Sequence, residues 1–219
     1  MEAALTAARD LFWRAGYDET SIEDVVEATG FNRYALYKEF GGKREVFLAA
    51  LEAYHQEGKA IFLSSLGNSH RSPVDAVREV LGFAVEEMAR RGAGCLLCNV
   101  ARELARRDPV VRARVEAYMD EMVSAFQEAF SRAAAREELN PNVAPESAAR
   151  LVMVLIKGLG AAAEMGATRR ELMEIIEVAF SALSPPQPSG RRRSRDRREE
   201  APCAHRRSRG TAGPGRGRN

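Results

Sequence analysis

Asn32-Arg33-Tyr34-Ala35-Leu36-Tyr37-Lys38-Glu39-Phe40, followed by Gly41-Gly42-Lys43-Arg44, gathers side chains suited to reading a nucleic-acid groove. A guanidinium such as Arg33 pairs with guanine O6 and N7, or binds a phosphate oxygen. Lysines and tyrosine hydroxyls hold phosphates. If residues 33–40 are helical, Leu36 and Phe40 lie four apart on a buried side and leave Arg33, Tyr34 and Lys38 on the face that would enter a groove. From Phe31 to Arg44 the basic residues Arg33, Lys38, Lys43 and Arg44 face one acid, Glu39, a local net charge of +3. That is a modest patch, placed where a phosphate backbone would pass. For Arg33, base contact and phosphate contact both stand.

Such a helix needs a neighbour that sets its angle. Thr20 and Ser21 are good N-caps, and Glu23 and Asp24 each sit three residues after one of them, so either choice closes a capping box. Ile22, Val25, Val26 and Thr29 then give one apolar face, with Glu23, Asp24 and Glu27 pointing outward. Gly30 supplies the left-handed residue of a sharp exit, and Asn32 is the next N-cap. Ser21 to Phe40 thus has the layout of a helix-turn-helix. The same layout occurs in helical protein-interaction modules, which would show no salt-dependent affinity for DNA.

Residues 1–54 resemble the DNA-binding domain of the TetR family of transcriptional repressors. The resemblance rests on Ala8, Leu11, Phe12, Gly16 and Tyr17, then Thr20, Ser21, Ile22 and Gly30, and on the Leu36-Tyr37-x-x-Phe40-x-x-Lys43 run with Val46 and Phe47 behind it. It implies that Asn32, Arg33, Tyr34 and Ala35 touch bases or phosphates and that Tyr37 and Lys43 hold phosphates. It also places Ser21 as a cap against the backbone and Lys38 beside the DNA. Two carboxylates depart from the family pattern: Glu39 stands where many relatives carry a hydrogen-bond donor, and Glu23 where some reach a base from the second helix. Over residues 1–54 six basic side chains face ten acidic ones, a balance of −4, so DNA affinity depends on where the charges lie.

The remainder keeps a helical period, and nothing reads as a strand. Helices are expected from Lys43, with Gly58 as a possible bend; from Pro73 to Gly92; from Cys95 to about Arg107; from Pro109 to about Glu138; from Pro145 to about Met165; and from Thr168. The last carries Leu172, Ile175, Ile176, Ala179, Phe180 and Leu183 as one apolar stripe. Leu151, Val152, Leu155, Ile156 and Leu159 are apolar on more than one face, so one side can pack inward and another against a second subunit. Burial within one monomer is the alternative. The fold class expected is all-α: an N-terminal three-helix helix-turn-helix domain (1–54, with the motif at 21–40) and a C-terminal helical ligand-binding and dimerisation domain (55–184). The family places a small-molecule pocket in the middle helices, where Phe83, Met88, Tyr118, Met122, Phe126 and Met153 are candidate lining residues. The family also implies a homodimer on a double-stranded operator with an inverted repeat, released when an effector shifts the fourth helix.

Gly94-Cys95-Leu96-Leu97-Cys98-Asn99 resembles a subgroup of TetR-like ligand domains that includes electrophile-responsive repressors. Cys95 near a helix N-terminus and beside Arg90 and Arg91 would be a low-pKa thiol, open to redox sensing with Cys98; plain packing of small hydrophobes is the other reading. The Cys-x-x-Cys spacing has no second ligand pair, so no metal is expected, and no cofactor. No convergent acid, base and nucleophile set points to an enzyme. No apolar run reaches membrane length and no signal peptide is recognisable, which reads as a cytoplasmic protein with no membrane partner. From Pro185 onward eleven arginines face three acids, +8 against −6 for residues 1–184. An Arg-rich disordered tail over 185–219 is expected, either adding non-specific DNA affinity or without a role.

Overall fold

The computed structural model describes residues 1–67 and 70–186, and residues 1–186 form one compact unit. Apart from Pro185 and Pro186, the expected Arg-rich tail lies outside the described residues. Among the described residues the regular elements are all helices: α1 Glu2–Ala15, α2 Ile22–Thr29, α3 Arg33–Glu39, α4 Lys43–Leu66, α5 Pro73–Arg91, α6 Leu96–Glu103, α7 Pro109–Ala135, α8 Pro145–Glu164 and α9 Arg169–Leu183. No helix among them is long and apolar enough to cross a membrane.

The starts follow the local chemistry. Ser21, rather than Thr20, caps α2, in a closed box with Asp24, while the buried Thr20 hydroxyl donates to Gly16 O at 2.6 Å. Asn32 caps α3, Ser72 caps α5 and Thr168 closes a box with Glu171 on α9. Each such cap satisfies an amide that the helix cannot. Gly30 and Gly92 end α2 and α5 at φ 70° and 63°, where a side chain would clash with its own carbonyl. Two helices end earlier than their sequence period suggests. The amides of Arg107 and Asp108 both return to Leu104 O, which stops α6 at Glu103 and frees Asp108 to cap α7. Glu137 takes a left-handed φ of 59° and closes α7 short of Glu138. α4 continues unbroken across Gly58.

Two apolar clusters form the interior. The upper one joins α5, the end of α7, α8 and α9 through Leu81, Phe126, Phe130, Ile156, Ile176 and Phe180. The lower one holds Phe12, Trp13, Val25, Leu36, Phe47 and Leu51 of the first four helices together with Leu96, Leu97 and Val100 of α6 and Val111, Val115 and Tyr118 of α7. The DNA-reading helices therefore share an interior with residues 96–118, far beyond residue 54. Burying each large side chain of this set contributes about 1.5–3 kcal/mol, so α6 is held there by several such terms at once.

The six expected pocket residues do not gather round one space. Phe83 is 48% exposed on α5; Phe126, Met88 and Met153 fill the upper core; Tyr118 belongs to the lower core, stacked on His55 at 3.7 Å; Met122 lies between the two. They were chosen for size and adaptability, properties that equally suit packed interior. The stripe on α9 also divides: Leu172, Ile176, Phe180 and Leu183 point inward, while Ile175 and Val178 are 43% and 71% exposed.

Candidate nucleic-acid interface and the clasp behind it

α3 has seven residues and one buried anchor, Leu36, with Phe31 and Phe40 meeting edge to face, ring centroids 6.0 Å apart, beside it. This fixes its roll about its own axis. Arg33, Tyr34, Tyr37 and Lys38 are consequently exposed on one side, Tyr34 at 77%. Ala35 is half-buried, and its amide donates to Asn32 Oδ1 at 2.8 Å, so Asn32 is occupied as a cap while remaining exposed. Ser21 is likewise occupied: its hydroxyl accepts from Asp24 N, and its hydrogen bonds hold the Asp24 carboxyl below the usual carboxylate range.

Arg33 is not idle in the free protein. Its Nη1 donates to Glu23 Oε1 at 2.5 Å, and its guanidinium stands 6.0 Å from the Tyr37 ring centre. The carboxylate that departs from the family pattern thus holds the guanidinium best placed to read a base. Lys43 is engaged too. Its Nζ donates to Tyr17 O at 2.9 Å and Thr20 O at 2.6 Å and sits 4.2 Å from the Tyr17 ring centre, tying the start of α4 to the turn between α1 and α2. An ammonium has three donors, so one N–H remains for a phosphate.

Behind this surface, α6 and its flanks grip α1. Trp13 Nε1 donates to Ala93 O at 3.1 Å, and the Arg91 guanidinium lies over the Trp13 ring at 4.5 Å while bonding Asp10 at 2.6 Å. At the other end of α6, Glu103 accepts from the amides of Tyr17 at 3.2 Å and Asp18 at 2.9 Å, and Arg107 pairs with Asp18. Arg44 reaches Asp108 with two bonds, of 2.9 and 3.2 Å. Both ends of α6 therefore hold the turn that carries α2. Between α1 and α6 lies a cleft of about 520 Å³, lined among others by Trp13, Tyr17, Leu96, Asn99, Arg102 and Glu103; none of the six expected pocket residues lines it. Sequence reasoning missed Trp13, Glu103 and the Arg44–Asp108 pair as a group, because each contact joins residues more than sixty positions apart.

Cys95 and Cys98 are both half-buried free thiols at the start of α6. The Cys98 thiol, together with the amides of Cys98 and Leu97, pulls the Cys95 thiol down to about 7 against the opposing effect of burial. The hydrogen bond to Cys95 and burial push Cys98 far up. Arg90 and Arg91, expected beside the thiols, are instead engaged with Glu87 and Asp10.

Comparison with known proteins agrees with this geometry. A model of the N-terminal domain, "Bacterial regulatory proteins, tetR family", matches residues 4–50, and one of the "Tetracyclin repressor-like, C-terminal domain" matches residues 73–179. The chain belongs to the TetR family. It is a DNA-binding transcriptional regulator. Among similar proteins, the HTH-type transcriptional repressor ComR of Escherichia coli K12 is 28% identical over 176 residues, 80% of this chain and 84% of that protein. A putative TetR transcriptional regulator from Rhodococcus sp. RHA1 is 30% identical, with a TM-score of 0.57, over 83% of this chain and 98% of its own. A cysteine mutant of the TetR family regulator CifR, complexed with 26 bp double-strand operator DNA, is 27% identical with a TM-score of 0.73, over 84% and 96% of the two chains. In this family member, then, the exposed side of α3 is the surface on which a DNA contact is to be sought.

Proposed function

We propose that this regulator is a cytoplasmic homodimeric repressor with no catalytic activity of its own, which reads an inverted-repeat operator with α3 of each protomer. Arg33 and Tyr34 are assigned to base edges, and Tyr37, Lys38 and the spare N–H of Lys43 to phosphates. Residues 1–54 act as the reader and 55–184 as the effector-binding and dimerising part. The observation that carries this reading is the one-sided exposure of α3, fixed by Leu36 and paired with a second exposed surface suited to dimerisation. On α8, Leu151, Val154, Gly158, Ala161 and Met165 are exposed at spacings of three and four, and on α9 Ile175, Val178 and Ala182 repeat the pattern. Such stripes pair readily with a second copy about a two-fold axis, which an inverted repeat requires. A small-molecule effector would release the DNA by parting α6 from the α1–α2 turn, and the cleft beside Glu103 is the space from which it would act directly. The test is selection of duplexes from a random pool by the full-length protein. The expected result is a two-fold-symmetric site bound by a dimer with steep salt dependence; selection of no site, or of one by a monomer, overturns the reading.

A further inference from the structure

Three helices of this fold can be compared at the same two cap positions. α2 carries Ser21 and Asp24 at N-cap and N3, and α9 carries Thr168 and Glu171; both pairs close a reciprocal box. At these positions α6 carries Cys95 and Cys98, and no side-chain bond caps it. N-cap and N3 are the positions whose side chains reach each other across the first turn. Here two thiols meet where hydroxyl and carboxylate would hold the helix better. The chain thus forgoes an ordinary cap at the helix whose two ends grip the DNA-reading domain.

We infer that Cys95 and Cys98 are a reversible peroxide-sensitive dithiol, whose closure to a disulfide loosens the grip of α6 on α1 and lowers operator affinity. The inference rests on the repressor reading above. The location supports it. Cys95 packs against both apolar clusters, and it fits against α8 where Gly160 has no side chain: a Cβ there would stand 3.1 Å from Cys95 N and 3.3 Å from its Cβ. Two residues before it, Ala93 O receives both Trp13 Nε1 and Asn99 Nδ2, the latter at 2.7 Å. A shift of the Cys95 backbone thus moves against α8 on one side and pulls the Trp13 contact on the other.

The chemistry balances with hydrogen peroxide as oxidant. The Cys95 thiolate attacks one peroxide oxygen and the O–O bond breaks; the sulfur becomes a sulfenic acid and the departing hydroxide takes up a proton as water. Cys98 sulfur then attacks the Cys95 sulfur, the S–O bond breaks, and the leaving hydroxide accepts the Cys98 proton as a second water. Two thiols lose two electrons in all, and one peroxide is reduced to two waters. The order follows from the surroundings: the helix N-terminus and the Cys98 thiol favour charge on Cys95, so Cys95 attacks first and Cys98 resolves. Once Cys95 is sulfenic its charge no longer opposes ionisation of Cys98.

The experiment uses the full-length Cys203→Ser chain, which removes the third thiol of the sequence, and duplexes selected by the reduced protein. Hydrogen peroxide is added, the Cys95–Cys98 peptide is read by mass after thiol alkylation, and DNA affinity is measured on the same samples. A loss of two hydrogens in that peptide, with affinity falling at least tenfold and recovering with dithiothreitol, is the expected result. Cys98→Ser should stop at the sulfenic acid and lose the disulfide. If no disulfide forms under low-millimolar peroxide, or if it forms with affinity changed less than twofold, the inference fails. The same release in a Cys95→Ser/Cys98→Ser chain also overturns it. Should the reduced protein select no duplex, the repressor reading falls and with it the claimed effect on DNA, while the mass measurement separately decides the dithiol.

Discussion

Arg33→Ala is the substitution that bears most directly on how this regulator reads DNA. In the free protein the guanidinium is held by Glu23 at 2.5 Å, with both side chains more than 60% exposed. An exposed pair of this kind is worth about 0.2–1 kcal/mol. A bidentate contact to guanine discriminates by about 1–3 kcal/mol. Moving Arg33 from Glu23 to a base therefore yields a net gain of roughly 1–2 kcal/mol per half-site. A dimer on an inverted repeat makes the exchange twice, so Arg33→Ala should weaken specific binding by about 30- to 700-fold at fixed salt. Affinity for unrelated duplexes should change far less. Fluorescence anisotropy on the selected duplex and on base-substituted versions, at several salt concentrations, separates the two roles of Arg33. If Arg33 only holds phosphates, all duplexes weaken alike and the slope of log K against log salt falls by about two for the dimer. Binding within twofold of the unaltered protein would refute the recognition-helix assignment. Glu23→Gln completes the argument. Freeing Arg33 should tighten binding about 2- to 30-fold, counting the exposed pair twice. Weakening instead would mean that Glu23 itself accepts a bond from a base.

Four further outcomes follow from the geometry. Val154→Asp with Val178→Asp, at positions 65% and 71% exposed in the protomer, should leave thermal stability nearly unchanged but give a monomer in light scattering at micromolar concentration, with operator affinity down at least a hundredfold. Glu103→Ala strips two amides, one of them partly buried, of their acceptor; the cost is about 1–2 kcal/mol, a Tm drop of roughly 2–8 °C, and hydrogen exchange should quicken at Tyr17 and Asp18. Asp108 is held below the ordinary carboxylate value by Arg44 and by the amides of Val111 and Val110. A lowered folded-state pKa gives stability that is present above the unfolded value near 3.9 and is lost as pH falls through the folded one. The Tm gap between the unaltered protein and Asp108→Asn should therefore hold from pH 7 to 5 and close below about pH 4. Cys95→Ser with Cys98→Asp would install the box that α2 carries and should raise Tm by about 2–4 °C for about 1 kcal/mol; a lowered Tm would mean the thiols are needed for packing.

The legible part of this fold is the local part. Ser21 with Asp24, Asn32, Thr168 with Glu171, and prolines 73, 109 and 145 mark helix starts through bonds that span three residues or fewer. The anchor Leu36 and the exposed row beside it follow from helical period alone. The Leu36-Tyr37-Phe40-Lys43 spacing led to the family by resemblance. What stayed hidden depends on partners distant in the chain. No local pattern announces that Glu103 completes a turn at Tyr17 and Asp18, or that Trp13 bonds the carbonyl of Ala93. Lys43 shows the limit well: a lysine opening a helix after two glycines suits a phosphate, and only the folded chain brings the carbonyls of Tyr17 and Thr20 within its reach.

These hidden contacts alter how release from DNA is to be understood. Attention to helix four alone suggests a lever, with α4 carrying motion from an effector to the reader. In the folded chain α4 is one of two connections. The other runs from α8 through Gly160 and Cys95 to Ala93 and Trp13, and along α6 to Glu103 and the α1–α2 turn. Its parts are single hydrogen bonds and one glycine-sized contact, each worth about a kcal/mol. A population shift of about a hundredfold needs only about 2.7 kcal/mol of difference between two states. Two or three contacts made or broken along α6 supply that difference, whether a molecule in the cleft or a bond between the thiols disturbs them. The lower core, by contrast, is secured by many buried side chains and stays intact through such a change. Regulation in this protein is therefore placed at its weakly held clasp, with α3 carried as a rigid body.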